Sequence, residues 1–332
     1  MRMAKHAALI ATVFGLGSFG LASTATAQTA AAQPIRVVVG VPAGGVLDPY
    51  ARIASEHMEK TLGRPMIIEN KPGANGNLSA LTAVDAPADG QLIWIGTWLW
   101  VGTQAMTEIN PSAYSKLRWS MKDFVPVIRG VSAPLVLVTH PSVPAKTLPE
   151  LIDYLKKNPG KLGYASFSPG TPSHFLGFQM NEKFGLDLAH IPYKGSGQQT
   201  TDLVAGHALM GFSQLGSTIP HIASGKLNAI AVTGPERSRF LPNVPTMAEL
   251  GHPDFTTMIW FGMFLKAGTP QAIVDAYVKA AKAAHTDPDV KKKLEALGFD
   301  VPAQTGPEVA AEIAAQTERW AKLIKASGFR AD

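Results

Sequence analysis

The chain has 332 residues, 46% of them hydrophobic, a formal net charge of +5 and no cysteine. Such a chain can bury one or two hydrophobic cores, but it can form no disulfide framework and carries no cysteine to acylate. Its basic residues (Arg118, Lys122, Arg129, Lys156, Lys157, Arg237, Arg239 and a short run at 291–293) are dispersed, and the lack of a basic stripe interleaved with aromatics excludes nucleic acid as a partner.

The first element is a leader. Arg2 and Lys5 precede an uncharged, mostly apolar run at 7–21, and Ala25-Thr26-Ala27 offers small residues to a peptidase. This pattern reads as a signal peptide spanning 1–27 rather than as a membrane anchor, because the run is too short and too rich in small residues to span a bilayer. Export is then expected to leave a protein without direct membrane anchoring. Loss of Arg2 and Lys5 with the leader reduces the net charge to about +3, which suits small anions.

From Gln33 onward, short apolar runs alternate with helical patterns. Strands are expected at 35–41, 66–69, 92–96, 135–139, 162–166, 190–193, 208–212, 228–233 and 262–266. Their nearly continuous apolar character is that of strands buried on both faces, and alternation with helices predicts an α/β fold with mainly parallel sheets. Asp48-Pro49 reads as an N-cap followed by proline. Thr147-Leu148-Pro149-Glu150 fits a capping box. Thr269-Pro270 and Asp287-Pro288 open two further helices, and a last one from 307 to about 325 carries Val309, Ile313, Trp320 and Ile324 on one stripe. The length predicts two domains joined by more than one crossing strand, with 127–135 and 256–264 as the candidate crossings. The predicted division is 34–130 plus 259–332 for one domain and 131–258 for the other.

Three loops lie where a strand leads into a helix, the place where α/β sheets bind ligands. In the first, Pro42, Ala43, Gly44 and Gly45 precede Asp48. Glycines let backbone N–H groups approach a ligand, and the helix start adds partial positive charge. The alternative is an ordinary turn capped by Asp48. The second, Ser166-Phe167-Ser168-Pro169-Gly170-Thr171-Pro172-Ser173-His174, is rich in hydroxyls, with Ser173 able to cap the helix. The third contains Lys194, Gly195 and Ser196, where the lysine is either a ligand contact or a solvated turn residue. Thr97 and Trp98 follow the strand expected at 92–96, so Trp98 is open to either core packing or ligand contact. No GxSxG elbow, no HxxH or HExxH spacing and no paired carboxylates occur. The sequence nominates no catalytic residue, no metal site and no cofactor.

These residues carry a resemblance. VPAGGVLDPYAR (41–52), IIENKPGANGN (67–77), LPELIDYLKKNPGKLGYASFSPGTPSH (148–174), HIPYKGSG (190–197), IASGKLNAIAVTGPERSRFLPNVPTMAELG (222–251) and WFGMFLKAGTP (260–270) together resemble the Bug, or tripartite tricarboxylate transporter, substrate-binding receptors. The resemblance covers essentially the whole chain after the leader. It implies a type II periplasmic binding protein fold, in which two α/β domains close around a small carboxylate. The ligand would be held by loops matching Pro42–Asp48 and Ser166–Ser173, with His174, Thr97, Trp98, Lys194–Ser196 and Ser213 nearby, and delivered by a monomeric periplasmic receptor to a membrane permease. A receptor that presents its carboxylate to a sensor kinase would share the same fold. The chain departs from the family pattern at Leu47, where threonine is common, at Ser213-Gln214, where an acidic residue is common, and at Trp98 and Phe167, where small residues are common. These departures imply a more apolar, aromatic pocket and hence an aromatic mono- or dicarboxylate.

Overall fold

The computed structural model describes residues 34–44, 46–86 and 98–331, except for the side chains of Trp98 and Pro307. The leader at 1–27, Gly45, the strand expected at 92–96 and Thr97 lie outside the described residues. Among the described residues, nine strands form one mixed sheet in the order β2-β1-β3-β9-β4-β7-β5-β6, with β8 also paired to β4.

In the first half of the sheet, β1 (Ile35–Val39), β2 (Met66–Asn70) and β3 (Trp98–Thr103) run parallel. The run that begins at Trp98 is thus a strand and not the loop after one. Trp98 pairs with Arg36 at the entry of β1, and Val101 pairs with Val39 at its exit. Trp100 is fully buried among Trp119, Phe124 and Phe264, so ring packing decides the fate of this segment.

In the second half, β5 (Gly163–Ser166), β6 (Ala189–Pro192) and β7 (Met210–Gln214) run parallel. β4 (Phe124–Thr139) and β9 (Met258–Lys266) pair antiparallel between the two halves. Up to Pro134, β4 pairs with β9; from Leu135 it pairs with β7 and β8 (Asn228–Val232). Of the segments expected to cross between halves, 127–135 lies within β4, and 256–264 lies in β9 from Met258 onward. The sequence reading has 135–139 as a strand and 127–135 as a crossing, and does not see the two as the single 16-residue strand β4. Pro126 is tolerated because the register shifts there, between Pro126 and Ile128.

The helices are α1 (Leu47–Leu62), α2 (Asn77–Val84), α3 (Asn110–Ala113), α4 (Leu148–Lys157), α5 (Pro172–Phe184), α6 (Ser196–Ala205), α7 (Leu215–Ala223), α8 (Gln271–Thr286), α9 (Pro288–Ala296) and α10 (Pro307–Ser327). A π-helical turn, Ala105–Ile109, precedes α3. The capping box forms at α4, where the Thr147 side chain accepts from the Glu150 N–H and Glu150 accepts from the Thr147 N–H. Asp287 caps α9 by accepting from the N–H groups of Asp289 and Val290, both at 3.0 Å. One apolar core runs through both halves; a second, smaller cluster joins Ala105, Ile109, Ala113, Phe175, Trp320 and Ile324.

Candidate ligand-binding site

The parallel strands of each half point their carboxyl ends into loops. The helices that begin after β1, β2, β5, β6 and β7 are α1, α2, α5, α6 and α7, and none of them starts with a side-chain cap. Side-chain caps form at α4 and α9, while α3, α8 and α10 also lack one. Uncapped first turns leave N–H donors and a partial positive charge at the helix start, which together favour an anion.

In the first loop, Asp48 sits inside α1 rather than at its cap. Its carboxylate accepts from the Gly44 N–H at 3.1 Å, from Arg52 at 3.0 Å through both Nε and Nη2, and from Asn70 Nδ2 at 3.0 Å. Asn70 Nδ2 also donates to the Val41 carbonyl at 3.0 Å. Burial pushes the Asp48 pKa up, but the bonds from Arg52, Asn70 and Gly44 outweigh it and hold the carboxyl below its usual range. Asp48 therefore fastens the loop, and its oxygens are already occupied by protein donors. Gly44 has φ +81 with open space where a Cβ would stand, so the residue is fixed by backbone conformation and not by crowding. Pro42, Ala43 and Gly44 are exposed.

In the second loop, the Ser173 hydroxyl does not cap α5; it donates to the Phe212 carbonyl at 2.5 Å and ties the helix start to β7. Thr171 Oγ1 donates to the Ser168 carbonyl at 2.6 Å, which closes the loop on itself. The Gly170 N–H donates to His174 Nδ1 at 3.3 Å, so that nitrogen is the unprotonated one and the ring is neutral. Ser166 Oγ and His190 Nε2 share a hydrogen bond of 2.7 Å. The two imidazoles stack 4.0 Å apart, with Tyr164 stacked on His190 at 5.0 Å. Burial lowers the pKa of both rings to about 4, helped at His174 by His190. Phe167 is buried in the same loop, and Ser168 is half-buried.

The third loop places Lys194 in solvent, its N–H donating to Gln198 Oε1 at 3.3 Å. Gly195 adopts φ +147 ahead of Ser196, the first residue of α6. Ser213, near the exit of β7, is fully buried, and its Oγ has no partner among the described residues. Trp98 does not join these loops. It opens β3, beside the entry of β1, whereas the loop at 41–48 leaves from the exit of β1. The residue that does follow β3 is Gln104, whose Nε2 donates to Thr257 Oγ1 at 3.3 Å.

The loop sets of the two halves touch. Asn75 Nδ2 donates to the Gly170 carbonyl at 3.4 Å and to Asn110 Oδ1 at 2.9 Å. Asn110 returns a bond to the Asn75 carbonyl at 3.0 Å and reaches Asn77 Oδ1 at 2.9 Å. Ala74 and Asn75 both have positive φ, +47 and +51, conformations an asparagine accepts and an alanine adopts only when its surroundings enforce them. Sequence reasoning quoted this NKPGANGN segment without assigning it a part; its asparagines were the available signal. No group of residues able to hold a metal ion occurs among the described residues.

A family model described as the tripartite tricarboxylate transporter family receptor matches residues 50–329. The chain is 31% identical to protein BugT of Bordetella pertussis, with 90% of each chain covered. Among solved structures it is similar to periplasmic binding protein BugD (32% identity, TM-score 0.77, 90% of this chain and 98% of that one). It is also similar to R. palustris Rpa4515 with adipate (27%, TM-score 0.80, 90% and 98%) and to MatC from Rhodopseudomonas palustris with bound malate (30%, TM-score 0.76, 88% and 99%). The matched span, the shared fold and the loops just described converge: the chain belongs to the tripartite tricarboxylate transporter receptor family and is a periplasmic solute-binding receptor, not an enzyme.

Proposed function

We propose that this receptor captures a small aromatic mono- or dicarboxylate between its two halves and delivers it to the permease of a tripartite tricarboxylate-type transporter. The observation that carries the carboxylate reading is the set of uncapped helix starts at the loop edges of both halves. Adipate and malate in two structural neighbours support it. The proposed contacts are the backbone of Pro42–Gly45, the hydroxyls and N–H groups of Ser166–His174, the turn at Lys194–Ser196, and Ser213. Asp48 acts by shaping the first loop. The aromatic preference rests on Phe167; Trp98 leaves the proposed site because of its place at the entry of β3. Cleavage of the leader after Ala27, a monomeric state and the domain division at 34–130 plus 259–332 and 131–258 belong to the same proposal.

A thermal-shift screen of the purified mature protein tests this reading, since a ligand that binds only the native state raises the melting temperature. Terephthalate or benzoate is expected to raise it more than adipate, malate, citrate or glutamate, and Phe167→Ala to abolish that difference. Stabilisation by citrate with none by either aromatic would reject the aromatic preference. No response to any carboxylate would reject the wider reading.

A further inference from the structure

The smaller apolar cluster is built from both halves. Its one member from the second half is Phe175, fully buried, one residue beyond His174 on α5. Its other members come from the π-helical turn (Ala105, Ile109), α3 (Ala113) and α10 (Trp320, Ile324). The Phe175 ring lies 6.1 Å from Trp320 and meets Phe329 edge-on at 5.5 Å. Phe329 also meets His174 edge-on at 5.0 Å. It closes on Gly170 so tightly that a Cβ there would stand 3.3 Å from its ring.

The socket is anchored to the first half. Trp320 Nε1 donates to Glu108 Oε2 at 3.1 Å, Trp260 Nε1 of β9 donates to Glu108 Oε1 at 2.9 Å, and the Ala331 N–H donates to the Ala113 carbonyl at 3.0 Å. Phe175 and Gly170, in contrast, ride on the loop and helix that leave β5. If the halves swing apart, Phe175 leaves its socket and Gly170 loses both Phe329 and Asn75.

We propose that Phe175, seated in the socket closed by Phe329, is a latch that holds the two halves together without ligand and positions the 166–174 loop to receive one. Burying one aromatic side chain is enough to bias a two-state opening by roughly ten- to a hundredfold. Phe175 and Phe329 are thus positioning residues for binding. The proposal rests on the receptor reading above, yet its main test needs no ligand.

The chain contains no cysteine, so exposed Lys60 on α1 and Lys157 on α4 can be replaced by cysteine and spin-labelled without interference. Pulsed electron resonance on the ligand-free protein is expected to give one narrow distance. Phe175→Ala is expected to broaden and shift it, Phe329→Ala to do so to a lesser degree, and Phe175→Leu to retain most of the parent distribution. With terephthalate as probe, both alanine variants are expected to release ligand about tenfold faster. If Phe175→Ala does not fold, Phe329→Ala at the half-buried rim carries the test. An unchanged distance distribution, accompanied only by a lower melting temperature, would overturn the latch and leave Phe175 a fixed packing residue. Failure of terephthalate to bind would count against the ligand assignment and leave the distance measurement to decide the latch.

Discussion

At the scale of single residues, the site is organised by polar atoms that bond to the protein's own backbone. Asp48 accepts from the Gly44 N–H, Ser173 donates a hydrogen bond to the Phe212 carbonyl, and His174 accepts from the Gly170 N–H. His285 belongs to the same class in the core. Its Nδ1 donates to the Ala281 carbonyl at 2.8 Å, so Nε2 accepts from the Tyr50 hydroxyl at 3.2 Å, and burial holds its pKa near 4. These buried neutral histidines set a pH dependence. The unfolded chain takes up these protons near pH 6.5 and the folded one only near pH 4. Their contribution is therefore fully present above pH 6.5 and is lost as pH falls toward 4. Glu108 acts with the opposite sign. Burial, opposed by the bonds from Trp260, Gln104 and Trp320, raises its pKa to about 8, so stability declines as pH rises from about 4.5 through 8. Three histidines outweigh one glutamate below pH 6.5. Urea unfolding followed across pH is expected to give greatest stability near about pH 6.5, with a shallower acid limb in His190→Gln. A stability that is flat from pH 7 to 4 would contradict the neutral-imidazole assignment.

At the scale of elements, sequence and structure agree wherever the signal is local. The Thr147 capping box and the Asp287 cap are short-range patterns, and the stripe of Val309, Ile313, Trp320 and Ile324 on α10 is buried as its spacing requires. The reading failed where distant pairing decides. Trp98 and Trp100 read as following the strand expected at 92–96, but pairing of their run with β1 and β9 makes it a strand. Pro126, Gly130 and Pro134 break the appearance of β4, although its pairing with β9 continues past them, with register shifts at Pro126 and Gly130. In the site, the glycine-rich helix starts were legible in the sequence. The employment of Asp48 by Asn70, and the visit of Phe329 to Gly170, were not, because nothing near either residue encodes its partner. Glycine spacing also hides close contacts. Gly177 on α5 lies against Tyr164, and a Cβ there would fall 2.0 Å from the ring. Gly177→Ala is thus expected to lift α5 off β5 and destabilise the fold by about 1–3 kcal/mol, measured by urea unfolding. An unchanged midpoint would mean that Tyr164 can turn away without loss.

At the scale of the whole molecule, one sheet passes through both halves, and the long strand β4, paired with β9 on one side and with β7 and β8 on the other, carries it across. Every parallel strand exit with an uncapped helix start faces the loop edge of its own half, and Asn75 on Gly170 brings the two edges together. In the proposed site, this arrangement offers a small anion donors from both sides. The most direct measurement is a calorimetric titration of the purified mature protein with terephthalate, benzoate, adipate, malate and citrate, on the parent chain and on Asp48→Ala. The expected result is saturable binding of at least one carboxylate at a single site, strongest for an aromatic one, and weakened at least about tenfold when Asp48 no longer holds the Gly44 loop. Absence of binding heat for every carboxylate across a range of temperatures, or full affinity in a folded Asp48→Ala protein, would contradict it.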